Sequence, residues 1–244
     1  MTNVIINGAN GKMGKAAVNA ISNDNALTLV AELDKNDSLN QALSTYSADV
    51  VVDLTHPSCV YDNVKTILNA SCHAVVGTTG LTDEQLHECG EIASQQNKSL
   101  LVCPNFAIAA ILMMRFAEQA AKFMDRCEII EYHHDKKADS PSGTAIKTAD
   151  LISQAQPSIN TPPLDETEII KGSRGGNKHT IPIHSLRLPG IVANQDIIFG
   201  SQGQTLTIKH DTISRDAFMP GLLMAIKSTP LHKGLVYGLE NLLD

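Results

Sequence analysis

Residues 4–21 read VIINGANGKMGKAAVNAI: an apolar run, three glycines, then a helical stretch. VIIN is apolar without alternation, as expected of a strand covered on both faces. Gly8, Gly11 and Gly14 fall between this strand and a helix predicted over residues 12–22. Glycines there let the backbone turn sharply and approach a pyrophosphate, whose charge the helix N-terminus favours. The spacing is GxxGxxG rather than GxGxxG, and an unliganded strand–helix turn would carry the same glycines. The context favours a dinucleotide. Asp34, twenty residues past Gly14, ends a second β-type run and can accept hydrogen bonds from adenosine ribose hydroxyls. Glu32, in the same run, competes for that role. Asp34 would repel a 2′-phosphate, which favours NADH, whereas Lys12 and Lys35 offset the repulsion and leave NADPH open.

Around this unit, strands are expected at residues 3–7, 28–33, 50–54, 74–76 and 100–103, with helices at 12–22, 58–69 and 83–96. Strand–helix alternation with unalternating apolar strands means an α/β, doubly wound parallel sheet of Rossmann type. Gly77-Thr78-Thr79-Gly80 and Pro104-Asn105-Phe106 follow two of these strands, on the edge where such sheets bind ligands. GTTG alone is better read as a tight turn capping the next helix. As successive loops along one edge, the two segments are expected to face a nicotinamide.

Beyond residue 106 the pattern changes. One long helix is expected over 107–124, a strand over 128–132 and a helix over 142–156. Residues 157–178, with PP and GSRGG, read as a loop. β-type runs follow at 180–188, 195–199 and 205–210, then helical patterns at 215–228 and 235–243. In TLTIKH, Leu206 and Ile208 alternate with polar Thr205, Thr207 and Lys209. That period of two fits an antiparallel sheet with one exposed face. The second half is therefore an α+β domain whose open sheet could pair between subunits.

The 244 residues suffice for two modest domains. Hydrophobic content of 43% and charged content of 18% are ordinary for a globular protein. A net charge of −7 and a pI of about 5.7 offer no basic surface, so no nucleic-acid partner is expected. The opening residues lack a basic region followed by a long apolar run, and no stretch is long enough to span a bilayer. Five widely spaced cysteines without a CxxC pair are expected to be free thiols. A cytoplasmic protein without membrane contact is the expectation.

The chemistry concentrates in EYHHDKKADSPSGT, residues 131–144. A strand delivers His133 and His134, and Ser142-Gly143-Thr144 opens a helix after Pro141. Unpaired N–H groups there, with two hydroxyls, make a carboxylate receptor, and Lys137 adds a point charge. A histidine beside such a receptor can donate a proton near neutral pH. A structural HH pair and a plain Ser142 helix cap are the bland alternatives. Asp135, Lys136 and Asp139 read as solvated surface. A metal site from His133, His134 and His179 or His210 would need irregular ligand spacing, so no metal is expected.

E-x-H-H-x-x-K-x-D-x-P-S-G-T closely resembles the signature of the dihydrodipicolinate (4-hydroxy-tetrahydrodipicolinate) reductase family. The resemblance runs nearly the full length: GANGKMG, VVDLTHP, VGTTG, PNFAIAAILMM, IHSLRLPG and FMPG all take part. It implies reduction of a cyclic imine dicarboxylate with NADH and/or NADPH in the diaminopimelate/lysine pathway. It also implies a Rossmann domain of residues 1–106 and 215–244, and a substrate-binding and tetramerisation domain of residues 107–214, in a homotetramer. By position, His133 resembles the proton donor and Lys137 the assisting lysine. His134, Ser142, Gly143 and Thr144 resemble the substrate-carboxylate contacts. Gly8, Gly11, Lys12, Met13, Gly14 and Asp34 resemble the adenosine and pyrophosphate contacts, and Gly77, Thr79, Asn105, Phe106 and Arg187 the nicotinamide contacts. Three features depart from the family pattern: Ser140 where Ala is usual, Ala109-Ala110 where a glycine is common, and a short segment over 34–48 that implies a missing surface strand or loop.

Overall fold

VIIN forms the interior of β1 (Thr2–Asn7), and the glycine turn leads into α1 (Lys12–Ser22). In chain order there follow β2 (Leu27–Leu33), α2 (Leu39–Thr45), β3 (Val50–Asp53), α3 (Val60–Asn69), β4 (His73–Val76), α4 (Asp83–Gln95) and β5 (Ser99–Val102). Next come α5 (Ile108–Ala121), β6 (Arg126–His133), α6 (Gly143–Ala155), β7 (Gly176–Lys178), β8 (Ile181–Arg187), β9 (Ala193–Ser201) and β10 (Gln204–Thr212). The chain closes with α7 (Met219–Ser228) and β11 (Gly234–Tyr237). The structure is a computed structural model and describes residues 1–243. Two units emerge: Met1–Ile108 with Arg215–Asp244, and Ala109–Ser214.

The first unit is built on a six-stranded parallel sheet, in the order β11-β5-β4-β3-β1-β2. Its strands are short and β-branched because helices cover both faces: Val50, Val51 and Val52 are all fully buried. Burying each such side chain contributes roughly 1.5–3 kcal/mol. Every strand of a parallel sheet ends at the same edge, so the loops after β1, β2, β3, β4 and β5 are brought together there. The second unit carries a mixed five-stranded sheet, in the order β10-β9-β6-β8-β7. Its register sets Leu206 against Phe199 and Ile208 against Ile197, on the face where Phe199 and Ile197 are buried.

Two readings of the sequence are corrected. Residues 235–243 are not helical: β11 pairs in parallel with β5, and Leu239–Leu242 is a single 3-10 turn. Gly234 (φ 72°) and Gly238 (φ 95°) bracket Leu-Val-Tyr, and these two left-handed positions break any continuous helix. Residues 215–228 begin as 3-10 turn over Arg215–Phe218 and become α7 only at Met219, with Pro220 in the first turn. The short 34–48 segment holds α2, capped by Ser38, whose Oγ accepts from Gln41 N.

α7 bears on the first unit's ligand edge. A Cβ on Gly221 would lie 2.1 Å from the Phe106 carbonyl oxygen, so the C-terminal helix rests directly on the backbone of the loop after β5.

Candidate functional site

In the first unit the glycine turn is sterically obligatory. Gly8 has φ +95°, and a Cβ there would meet the Leu54 carbonyl oxygen at 2.5 Å. A Cβ on Gly14 would meet the Gly8 carbonyl oxygen at 2.1 Å, so α1 can start this close to β1 only without a side chain. Gly11 is the N-cap of α1 and supplies no capping side chain, so the helix offers its first-turn N–H groups, including those of Lys12 and Met13, outward. Gly8, Gly11 and Asp34 line one cavity of about 510 Å³ together with Lys35, Thr55 and His56. An uncapped helix start, a glycine cradle and a carboxylate at the second strand end fit a dinucleotide. Asp34 Oδ2 accepts from Asn10 Nδ2 at 2.8 Å. This bond, then the Lys35 backbone N–H, hold the carboxyl below its ordinary range.

Asp53, at the end of β3, is fully buried and went unassigned on sequence. Its Oδ1 accepts from Thr55 Oγ1 and Thr78 Oγ1, both at 2.7 Å; its Oδ2 accepts from Asn7 Nδ2 at 3.1 Å and Asn63 Nδ2 at 2.9 Å. One carboxylate thereby links the ends of β1 and β3, α3 and the GTTG loop. Next to buried Thr78, Thr79 is exposed. A Cβ on Gly77 would meet Leu54 and the Phe106 ring at 2.7 Å each, which brings the loops after β4 and β5 together. Asn105 turns its Oδ1 back to the Ala107 N–H at 2.8 Å, and Phe106 is buried.

In the second unit, alternation along β6 puts Glu131 and His133 on one face of the strand. Glu131 is fully buried. Its Oε2 accepts from the His133 ring at Nδ1, and Arg187 donates to both oxygens, at 3.0 Å and 2.8 Å. The Ser142 N–H donates to Oε1 at 3.2 Å. Burial by itself would raise the Glu131 carboxyl, but hydrogen bonds from His133, Arg187 and Ser185 outweigh it and hold the group at about 2. The register explains the Arg187 contact, since β8 pairs with β6 with Arg187 opposite His133. Arg187, grouped by resemblance with the nicotinamide contacts, thus commits both terminal nitrogens to Glu131 and also donates to the Asp139 carbonyl at 2.7 Å.

Ser142 is the N-cap of α6, its Oγ accepting from Ala145 N at 3.2 Å, so the cap reading holds for its acceptor side. Its hydroxyl proton and the N–H groups of Gly143 and Thr144 remain to be offered to an anion. The space beside Gly143 is open: a Cβ there would meet nothing within 4 Å. Lys137 donates to both oxygens of Asp139 at 2.6 Å. His134 is half-buried and leaves Nδ1 buried without a partner. Asp135 and Lys136 are exposed. His179 pairs instead with Asp150 at 2.8 Å, away from this cluster. All five cysteines are free. No helix among the described residues is long and apolar enough to cross a membrane.

Two sequence signals could have pointed to the unassigned acids. Asp53 ends the apolar run VVVD and Glu131 directly follows Ile129-Ile130, settings in which a buried charge requires dedicated partners.

Comparison with known proteins agrees along the whole chain. Residues 2–106 match the family described as "Dihydrodipicolinate reductase, N-terminus", and residues 109–243 match "Dihydrodipicolinate reductase, C-terminus". The 4-hydroxy-tetrahydrodipicolinate reductase of Mycolicibacterium vanbaalenii is 46% identical, with 97% of each chain covered. That of Listeria innocua is 44% identical, with 99% of each chain covered. A dipicolinate-bound dihydrodipicolinate reductase from Paenisporosarcina sp. TG-14 superposes with a TM-score of 0.90 at 40% identity over the full length of both chains. The chain therefore belongs to the dihydrodipicolinate reductase family of oxidoreductases.

Proposed function

We propose that this protein reduces 4-hydroxy-tetrahydrodipicolinate, with loss of water, to tetrahydrodipicolinate in diaminopimelate/lysine biosynthesis, using NADH and/or NADPH. The observation that carries the reading is Glu131, which joins His133 to the start of α6: a proton source is tied to a ready-made carboxylate receptor. The substrate is a cyclic imine with two carboxylates. Dipicolinate, named with the Paenisporosarcina relative, is likewise a ring bearing two carboxylates.

In this reading Ser142, Gly143 and Thr144 fix one carboxylate with directed donors, and His134 and Lys137 add positive character. Lys137 is paired with Asp139 in the free protein and must exchange that partner for the substrate. Gly8, Gly11, Lys12, Met13 and Gly14 hold the pyrophosphate, Asp34 the adenosine ribose, and Gly77, Thr79, Asn105 and Phe106 the nicotinamide side. The dinucleotide, when bound, supplies the hydride for ring C4. His133 supplies the proton at C3, and the rest of the cluster orients the ring and balances its charge. Asp34 and Asp37 together favour NADH over NADPH.

The nearest rival is a semialdehyde-type dehydrogenase, which needs a nucleophilic cysteine. Burial pushes Cys89 up to about 11 and Cys103 up to about 12, and raises Cys72 and Cys127 as well, the opposite of thiolate activation, while Cys59, at the start of α3, donates its thiol to Thr55 Oγ1 and the His56 carbonyl.

The test is consumption of NADH or NADPH on adding the product of dihydrodipicolinate synthase. His133→Gln is expected to lower kcat about 100-fold or more with little change in KM. Normal turnover by that variant would remove His133 from the proton-donor role.

A further inference from the structure

Glu131 receives donors on both oxygens, from the His133 ring, two Arg187 nitrogens and the Ser142 N–H, and Ser185 adds a further bond. An ionised carboxylate can only accept. The proton shared with the His133 ring therefore sits on Nδ1, and Nε2 is the ring atom left to exchange a proton with a ligand. The Arg187 fork offsets the carboxylate charge, so the pair as a whole is neutral. To act as the acid the ring must carry a second proton at Nε2, taken up from solvent, while Nδ1–H stays on the carboxylate; after the transfer the ring is neutral and still held at Nδ1.

The same carboxylate reaches further. Through the Ser142 N–H it fixes the first residue of the α6 turn. Arg187, bound to it, also holds the Asp139 carbonyl at 2.7 Å, and Asp139 is the ion-pair partner of Lys137. Of the charged groups around His133, Glu131 lies on its own strand, Arg187 on β8, and Lys137 and Asp139 on the following loop, while β9 sets Ala193 opposite it.

We propose that Glu131 is a positioning residue: it holds the His133 ring by Nδ1–H, so that Nε2 is the atom that takes up a proton from solvent and passes it to the ligand, and it locks that ring in register with the anion-receiving turn at Ser142. The proposal deepens, and rests on, the reading of His133 as the proton donor. Arg187 belongs to the same device as the counter-charge that keeps Glu131 paired.

Two measurements on the full chain test it. Long-range proton–nitrogen NMR of the imidazoles, with His133 assigned through His133→Gln, is expected to find neutral His133 protonated at Nδ1 in the ligand-free wild type. A neutral ring protonated at Nε2 alone would overturn the proposal whether or not any variant folds. In Glu131→Gln, that tautomer preference is expected to fall away. Its kcat is expected to drop about 100-fold while KM for the reduced dinucleotide is unchanged. A folded Glu131→Gln enzyme with wild-type kcat would overturn the proposal as well. An inactive wild type with Nδ1 protonated would overturn the reductase reading and uphold the positioning; an active wild type whose neutral ring is protonated at Nε2 alone would do the reverse.

Discussion

In the proposed reading, Asp34 with its neighbour Asp37 is where NADH and NADPH would be told apart. Its Oδ2 takes a hydrogen bond from Asn10, and its own N–H donates to Asp37 Oδ2 at 2.8 Å, so two carboxylates stand at one end of the glycine-turn cavity. The Asn10 bond and the Lys35 backbone N–H keep Asp34 ionised well below neutral pH, and an added 2′-phosphate would meet that charge directly. Asp34→Asn removes the charge and leaves an oxygen for Asn10. The ratio of kcat/KM for NADPH to that for NADH is expected to rise about tenfold, equivalent to about 1.4 kcal/mol. Raising salt should shrink the wild-type discrimination, because the group is exposed and screened. An unchanged ratio in Asp34→Asn would mean that the 2′-position is read elsewhere. The position of Asp34 beside the glycine turn was legible from spacing alone, since strand, turn and helix fix its distance from the glycines. Asp53 and Glu131 were not. What makes them matter is which donors reach them, and Asn7 and Arg187 lie 46 and 56 residues away along the chain.

Helices α4 and α6 start in nearly the same way, which allows capping and chemistry to be separated. In α4 the Thr82 Oγ1 accepts from Gln85 N at 3.3 Å, and Gln85 Oε1 accepts from Thr82 N at 3.0 Å, a closed capping box. In α6 the Ser142 Oγ accepts from Ala145 N at 3.2 Å, but the reciprocal acceptor is Glu131 on β6 rather than a residue of the helix itself. Thr82→Ala and Ser142→Ala should each cost about 1 kcal/mol of stability in denaturant unfolding. Only Ser142→Ala should also raise KM for the dicarboxylate substrate; an equal effect of both on KM would reduce Ser142 to a cap. At this scale the sequence was read well where period and punctuation agreed, as in α1, whose bounds matched. It was read wrongly at residues 235–243, where leucines at helical spacing outweighed two glycines. Only the pairing of β11 with β5 decides that element, and pairing with a distant strand leaves no local mark. The helix α2 was missed because it is barely two turns long, and its start rests on the Ser38 cap.

At the scale of the whole molecule, the second sheet presents two unlike faces. On one side of β6, β8 and β9 lie buried Ile129, Ile183, Ile197 and Phe199, with α6 in contact with β6 and β8. On the other lie Ile130, Tyr132, Leu186 and Ile198, all only half-buried. The Tyr132 hydroxyl donates to Asp196 there at 2.8 Å, and burial, then that bond, push the phenol up to about 12. A half-buried face of aliphatic groups and Tyr132, interrupted by Glu128, His184 and Asp196, suits packing with a second copy. Homotetramer formation through this face, implied by the family, is therefore the expected state. Light scattering behind size exclusion should give four times the chain mass of 26.2 kDa. Ile198→Lys puts a charge in the middle of that face opposite Glu128, already held by Arg174 and His184, and because Ile198 is only half-buried the strand itself should survive. The variant is expected to retain its circular dichroism and fall to a smaller species. A tetramer that tolerates the lysine would move the interface to another surface, and a monomeric wild type would leave this face open to solvent in the working protein.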